Sequence, residues 1–330
     1  SLAACGGTAS DSSADTSGET SEATEASDET ADGESYTIGI TAFAEHESLE
    51  NCRKGFLQGL EEEGIVEGEN LTVSYENAQT DMGTASTIAD SFVADAVDLI
   101  CAIATPAAQT VANATKDIPI VGTAITDYVS AKLVQSNEKP GGNVTGTSDM
   151  NPIKEQVDLL MKLCPNAKTV GVIYCSSEVN SEVQVKAMKA YAETKGLKIE
   201  TATISTVNDI QQAAQSLNTK VDAFYAPTDN VLASAMPTLL SVTDPAKKPV
   251  ICGEENMVKA GGLATYGIDY YKLGLQTGDM GADILDGKKK PADMPIQTAK
   301  DLKASINKKN ADALGVVIPD DLMKSAEIVQ

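Results

Sequence analysis

At 330 residues the chain is too long for one small core and suits two compact lobes. A net charge of −23, with no Lys/Arg cluster beyond Lys288–Lys290, argues against nucleic acid and against anionic lipid head groups as partners. The six cysteines form no Cys-x-x-Cys pair and have no histidine neighbour, so neither a metal site nor a cofactor is expected.

Chain order begins with Ser1-Leu2-Ala3-Ala4-Cys5-Gly6, which resembles the bacterial lipobox and marks Cys5 for lipidation, with most of a signal peptide already cut away. Residues 6–35 are built from Gly, Ser, Thr, Ala, Asp and Glu, and residues 11–34 carry nine carboxylates. Such a stretch buries too little to offset its ordering entropy, so residues 1–35 read as a lipobox and a disordered acidic linker. The expectation is an extracytoplasmic bacterial protein of Gram-positive type, held to the membrane by lipid alone. No later run is apolar and long enough to span a bilayer.

From Tyr36 onward strands alternate with helices. A strand at about 37–42 leads to a helix at 48–63, with Ser48 as its N-cap and Gly64 as its stop. Strand 71–75, a helix from Asp81 to about Ala94, and strand 98–103 follow, then Thr105-Pro106 as N-cap and first helical residue, and strand 118–122. An irregular stretch at 126–150 contains Lys139-Pro140-Gly141-Gly142-Asn143. The alternation then restarts: helix 152–163, strand 169–174, helix 181–195, strand 197–203, helix 207–217, strand 222–226, helix 229–241, strand 249–252, a short helix at 255–260, strand 263–267 and helix 270–286. The tail to Gln330 has less pattern. Two such series predict an α/β protein of two similar doubly wound parallel-sheet lobes joined by a hinge.

In doubly wound sheets the ligand crevice lies beyond the carboxyl ends of the strands. The loops to watch are therefore Phe43–Ser48 with His46 and Ser48, Ala104–Ala107 with Thr105, and Thr123–Asp127 with Ala124 and Thr126, together with Ser148 and Asp149 in the crossover. In the second series they are Ser176–Ser181 with Glu178, Asn180 and Ser181, Pro227–Asn230 with Asp229 and Asn230, and Gly253–Glu255 with Glu254. Thr105 to Ala107 offer a helix N-terminus beside a hydroxyl, which is either a carboxylate receptor or an ordinary cap. Asp229 is either a helix cap or the partner of a solute ammonium, with Asp149, Asp269, Glu178 and Glu254 as competing candidates. His46, the only histidine, has no nucleophile or orienting partner evident in the sequence and fits a contact to ligand or lobe interface; no catalytic motif is present.

His46-Glu47-Ser48-Leu49-Glu50, Gly55-Phe56, Thr105-Pro106-Ala107-Ala108, Gly142-Asn143-Val144-Thr145-Gly146, Glu178-Val179-Asn180-Ser181, Pro227-Thr228-Asp229-Asn230 and Gly267-Ile268-Asp269-Tyr270 through Gly274 occur in this order. In that ordered set the chain resembles the ABC-transporter substrate-binding proteins of the type I periplasmic-binding fold, in particular the tryptophan- and tyrosine-uptake group. The resemblance implies a monomeric Venus-flytrap protein, not an enzyme, that passes a small zwitterionic solute, an aromatic or hydrophobic L-amino acid, to a permease with its ATPase. It also implies that the first lobe is 36–147 plus about 270–290 and the second 148–269 plus about 291–330. Phe43, Phe224 and Tyr225 are the aromatic residues nearest the expected slot, and Phe224 is the best suited of them to the core. A nucleoside or other small solute, or a role as an extracytoplasmic sensor domain, are the alternatives.

Overall fold

A computed structural model describes residues 34–329, and the Cys5 lipobox and most of the acidic linker lie outside them. The first series runs β1 (Tyr36–Ala42), α1 (Glu47–Glu62), β2 (Leu71–Asn77), α2 (Met82–Ala94), β3 (Leu99–Ile103), α3 (Thr105–Ala114), β4 (Ile120–Ile125) and β5 (Val144–Ser148). The second runs α4 (Ile153–Leu163), β6 (Thr169–Cys175), α5 (Val179–Thr194), β7 (Lys198–Ile204), α6 (Ile210–Asn218), β8 (Ala223–Ala226), α7 (Asn230–Ser234), α8 (Met236–Thr243), β9 (Val250–Cys252), α9 (Glu255–Lys259) and β10 (Ala264–Ile268). The last segment holds α10 (Tyr270–Leu285), β11 (Gln297–Thr298), β12 (Leu302–Asn307), α11 (Lys308–Leu314), α12 (Asp320–Ser325) and β13 (Glu327–Val329).

These strands form two sheets, ordered β11-β5-β4-β3-β1-β2 and β13-β12-β10-β9-β8-β6-β7. The first is parallel throughout; in the second, β12 runs antiparallel to β10. Strands covered on both faces need apolar residues at consecutive positions, and β3 (Leu-Ile-Cys-Ala-Ile) is buried along its whole length. In the second lobe the faces separate cleanly: Phe224 and Cys252 join one core cluster, while Tyr225 and Ile251 join the other.

Helices α1 and α10 meet backbone to backbone. A Cβ on Gly55 would lie 2.1 Å from the Tyr271 carbonyl oxygen, and one on Gly278 would lie 2.5 Å from that of Phe56. Glycines four apart on both helices, Gly55 and Gly59 facing Gly274 and Gly278, make this approach possible. The seam fixes the start of α1, where His46 and Ser48 stand, against Tyr270 at the start of α10.

Several sequence expectations shift. Ser48 does not cap α1: His46 occupies that position, and Ser48 is already helical. Likewise Ala104, not Thr105, precedes α3, so Thr105 is the first helical residue and Pro106 the second. The helix expected over 229–241 breaks at Ala235, because Pro237 in the first turn of α8 cannot donate a hydrogen bond back to α7. The stretch 126–150 is not wholly irregular, since β5 joins the first sheet beside β4. The chain passes between sheets after Ser148, after Ile268, and a third time between Thr298 and Leu302. That last passage comes later than the expected 291. Met294 accepts from Thr145 Oγ1 at 2.7 Å, Ile296 N–H donates to the Asn137 carbonyl at 2.7 Å, and β11 pairs with β5, so residues 294–298 stay on the first lobe.

Candidate functional site

The loop after β1 and the first turn of α1 in the first lobe bond directly to the residues that follow β8 and β9 in the second. Ser48 Oγ donates to Glu254 Oε2 at 2.5 Å and accepts from Asn256 Nδ2 at 2.8 Å. His46 Nε2 lies 3.3 Å from Asn230 Oδ1. At the first passage between lobes, Tyr270 Oη donates to Asp149 Oδ2 at 2.8 Å and Thr126 Oγ1 to Asp149 Oδ1 at 3.1 Å. Ser148 Oγ donates to the Thr126 carbonyl at 2.8 Å, tying β5 to the loop after β4.

Backbone strain concentrates on the first-lobe side. Ala104 (φ +81°) and Ala124 (φ +54°) hold positive φ angles that a side chain disfavours; Ala104 follows β3, and Ala124 sits within β4 where its pairing with β5 shifts register. The turn at Ala104 sets the N-terminus of α3 at the strand end, where the N–H groups of Thr105 and Ala107 have no earlier carbonyl to reach.

The buried acids fall into two kinds. Asp229 accepts from Cys175 N–H (2.6 Å), Ser181 Oγ (2.7 Å) and Leu232 N–H (2.8 Å), so it caps α7 and ties it to β6 and α5. Glu178 accepts from Asn180 Nδ2, Asn230 N–H, Asn230 Nδ2 and Val231 N–H. Those four donors use the acceptor capacity of a carboxylate. By contrast Asp149 receives one donor on each oxygen, and Glu254 Oε1 receives only Met257 N–H. Asp127 folds back on Val129 and Ser130, and Asp269 caps α10; both are spent on turns.

Burial sets the protonation of the site. It pushes the Glu254 carboxyl up to about 7 and raises Asp149 and Asp229 from their ordinary values. Glu178 is raised by burial and then by the neighbouring Asp229 charge. The same burial lowers His46 to about 4, so its imidazole is neutral. Among the described residues no lysine or arginine pairs with any of the four acids.

Five buried polar atoms without a protein partner belong to the segments that follow the strands of both lobes: Thr105 Oγ1, His46 Nδ1, Asn151 Oδ1, Asn180 Oδ1 and Asn256 Oδ1. Asn151 and Asn256 are not sequence candidates, nor is Gln184, which clamps both the N–H and the carbonyl of Thr228. Asn256 follows Glu254 by two residues in the first turn of α9, and that adjacency is the one sequence signal that could have found it. The aromatic candidates are all core residues: Phe43 belongs to the first-lobe cluster, and Phe224 and Tyr225 to the second-lobe clusters, with Tyr225 Oη donating to Gln156 Oε1 at 2.6 Å.

Residues 37–330 match the family model of the ABC transporter substrate binding proteins. The chain belongs to this family. A tyrosine-binding protein of Clostridioides difficile strain R20291 is 44% identical over 300 residues, 88% of this chain and 87% of that one. An ABC domain from Streptococcus pneumoniae in complex with L-Trp is 43% identical and superposes with a TM-score of 0.87, covering 90% of this chain and all of that one. A ligand-free, open substrate binding protein with adhesive properties from Clostridium difficile is 45% identical, yet superposes at 0.69 over 89% of this chain and 99% of that one. Nearly equal identity with unequal superposition points to the placement of the lobes. With Ser48 bonded to Glu254 and His46 to Asn230, this substrate-binding protein has its lobes closed on one another. Its two sheets are those of the type I periplasmic-binding fold.

Proposed function

We propose that this substrate-binding protein captures an aromatic L-amino acid between its lobes and hands it to the permease of an ABC importer. The observation that carries the reading is that segments following the strands of both lobes hold buried polar atoms without a protein partner. A zwitterion fits their polarity. Its carboxylate goes to the first-turn N–H groups of α3 and to Thr105 Oγ1, where the helix dipole is positive. Its ammonium goes to Asp149, which sits beside the hinge with acceptor capacity left on both oxygens. Outside the cytoplasm, a lipid on Cys5 and the acidic linker would tether a monomer within reach of the permease.

Binding is testable by thermal unfolding against L-amino acids, nucleosides and sugars. A solute that binds only the folded form stabilises it by about 2.7 kcal/mol at a hundredfold excess over Kd. Shifts confined to aromatic amino acids support the reading, and Asp149→Asn should then weaken binding about 10- to 100-fold, the worth of a charge-assisted hydrogen bond. A shift with another solute class, and none with any amino acid, would keep the binding role and overturn this specificity.

A further inference from the structure

Glu178 does more than fill a buried position. Its Oε2 accepts from Asn230 Nδ2 at 2.6 Å, which turns the amide so that Asn230 Oδ1 faces the other lobe. That oxygen can only accept, so the His46 Nε2 beside it at 3.3 Å carries the proton. The tautomer is thereby fixed from the second lobe, and the remaining ring nitrogen, Nδ1, is left as a bare acceptor. It is buried and has no partner in the protein. A buried acceptor without a donor is costly, and the donor it calls for must come from whatever the lobes enclose.

An amino acid brings three kinds of polar group to such a site. Its carboxylate only accepts, so a lone pair repels it. Its ammonium is served better by a carboxylate than by a neutral imidazole, and His46 caps the N-terminus of α1, whose positive dipole end opposes a cation. What remains is a donor on the side chain.

We propose that His46 Nδ1 is the acceptor that selects solutes whose ring carries a hydrogen-bond donor, an indole N–H or a phenol O–H, over a plain phenyl ring. The inference rests on the aromatic amino-acid reading above. It makes Glu178 and Asn230 positioning residues, acting on specificity through the imidazole tautomer without touching the solute. Tyrosine and L-Trp, the solutes of two relatives, each have such a donor.

The test is a ratio of affinities, measured by titration calorimetry for Tyr against Phe and for Trp against its benzothienyl isostere, which lacks the N–H. Because the chain contains no tryptophan, the emission of bound L-Trp gives an independent reading. The wild-type protein should favour the donor-bearing member of each pair about 10- to 100-fold, as expected when a buried acceptor would otherwise go unpaired. In His46→Phe both ratios should fall close to one, and in His46→Gln, whose amide oxygen accepts, they should recover in part. Loss of the His46–Asn230 contact weakens closure for every solute alike and cancels in the ratio. His46→Ala repeats the test should the Phe variant not fold. Unchanged ratios in a variant that still binds Trp would overturn the inference alone, whereas a wild-type protein that binds no aromatic amino acid would overturn the reading beneath it.

Discussion

A carboxylate at the end of a buried strand can hold its own backbone together or wait for a cation, and its hydrogen bonds tell which. Asp229 does the first, with two N–H groups and a hydroxyl on it, and its sequence already carried that reading as a helix cap. Glu254 does both, capping α9 while receiving Ser48 from the other lobe. Its carboxyl sits at about 7 because burial outweighs those donors, so the folded protein holds this proton more tightly than the unfolded chain does. The stabilisation is complete below the ordinary value of 4.5 and is lost as the pH rises through about 7. By linkage that loss is on the order of 3 kcal/mol. His46 acts the other way, since its lowered value costs stability as the pH falls from 6.5 towards 4. Melting temperatures of wild type and Glu254→Gln from pH 5 to 8 separate the two. The wild type should lose ground to the variant as the pH rises through 7, and parallel curves would show that Glu254 does not titrate there. The sequence placed these acids at the strand ends, but it could not divide them, because the dividing donors come from elements far apart in the chain.

Among the elements, the α1–α10 seam has the narrowest tolerance. A Cβ on Gly59 would lie 2.5 Å from the Leu275 carbonyl oxygen and 2.9 Å from Gly278 Cα, and backbone cannot turn aside as a flexible side chain can. Gly59→Ala should therefore force the helices apart and cost at least the 1–3 kcal/mol typical of overpacking. In calorimetry it should lower the melting temperature by several degrees, while Gly64→Ala, with open space around its Cβ, costs only the strain of a left-handed alanine. Equal losses in the two variants would refute the seam as a tight contact. The same seam marks a limit of sequence reading. Strand-helix alternation revealed most elements by period alone, because buried strands are short apolar runs flanked by turn residues. Strand β5 escaped because Val144-Thr-Gly-Thr-Ser has one large apolar residue and three hydroxyls to hide. The return of α10 to the first lobe followed only from family resemblance, since a glycine stripe does not announce its partner.

For the whole molecule, closure is an equilibrium between lobes that the protein's own contacts already favour in part. Ser48 gives the closed form a donor to Glu254 and an acceptor for Asn256; opening would return all three to water. Ser48→Ala leaves each lobe's core intact but takes one donor from Glu254 and leaves Asn256 Nδ2 without its partner in the closed form, at about 1–3 kcal/mol. If only the closed form retains solute, apparent affinity falls by the fraction of molecules still able to close, about 5- to 100-fold. Without solute the unfolding temperature should fall by no more than the free energy with which these bonds hold the lobes closed, because Ser48→Ala can relax to the open form. Small-angle scattering should show a larger radius of gyration for Ser48→Ala than for wild type in the absence of solute, converging when an aromatic amino acid saturates both. A variant with wild-type scattering and affinity would place the closing energy in the solute alone, making the interlobe bonds a consequence of closure and not one of its causes.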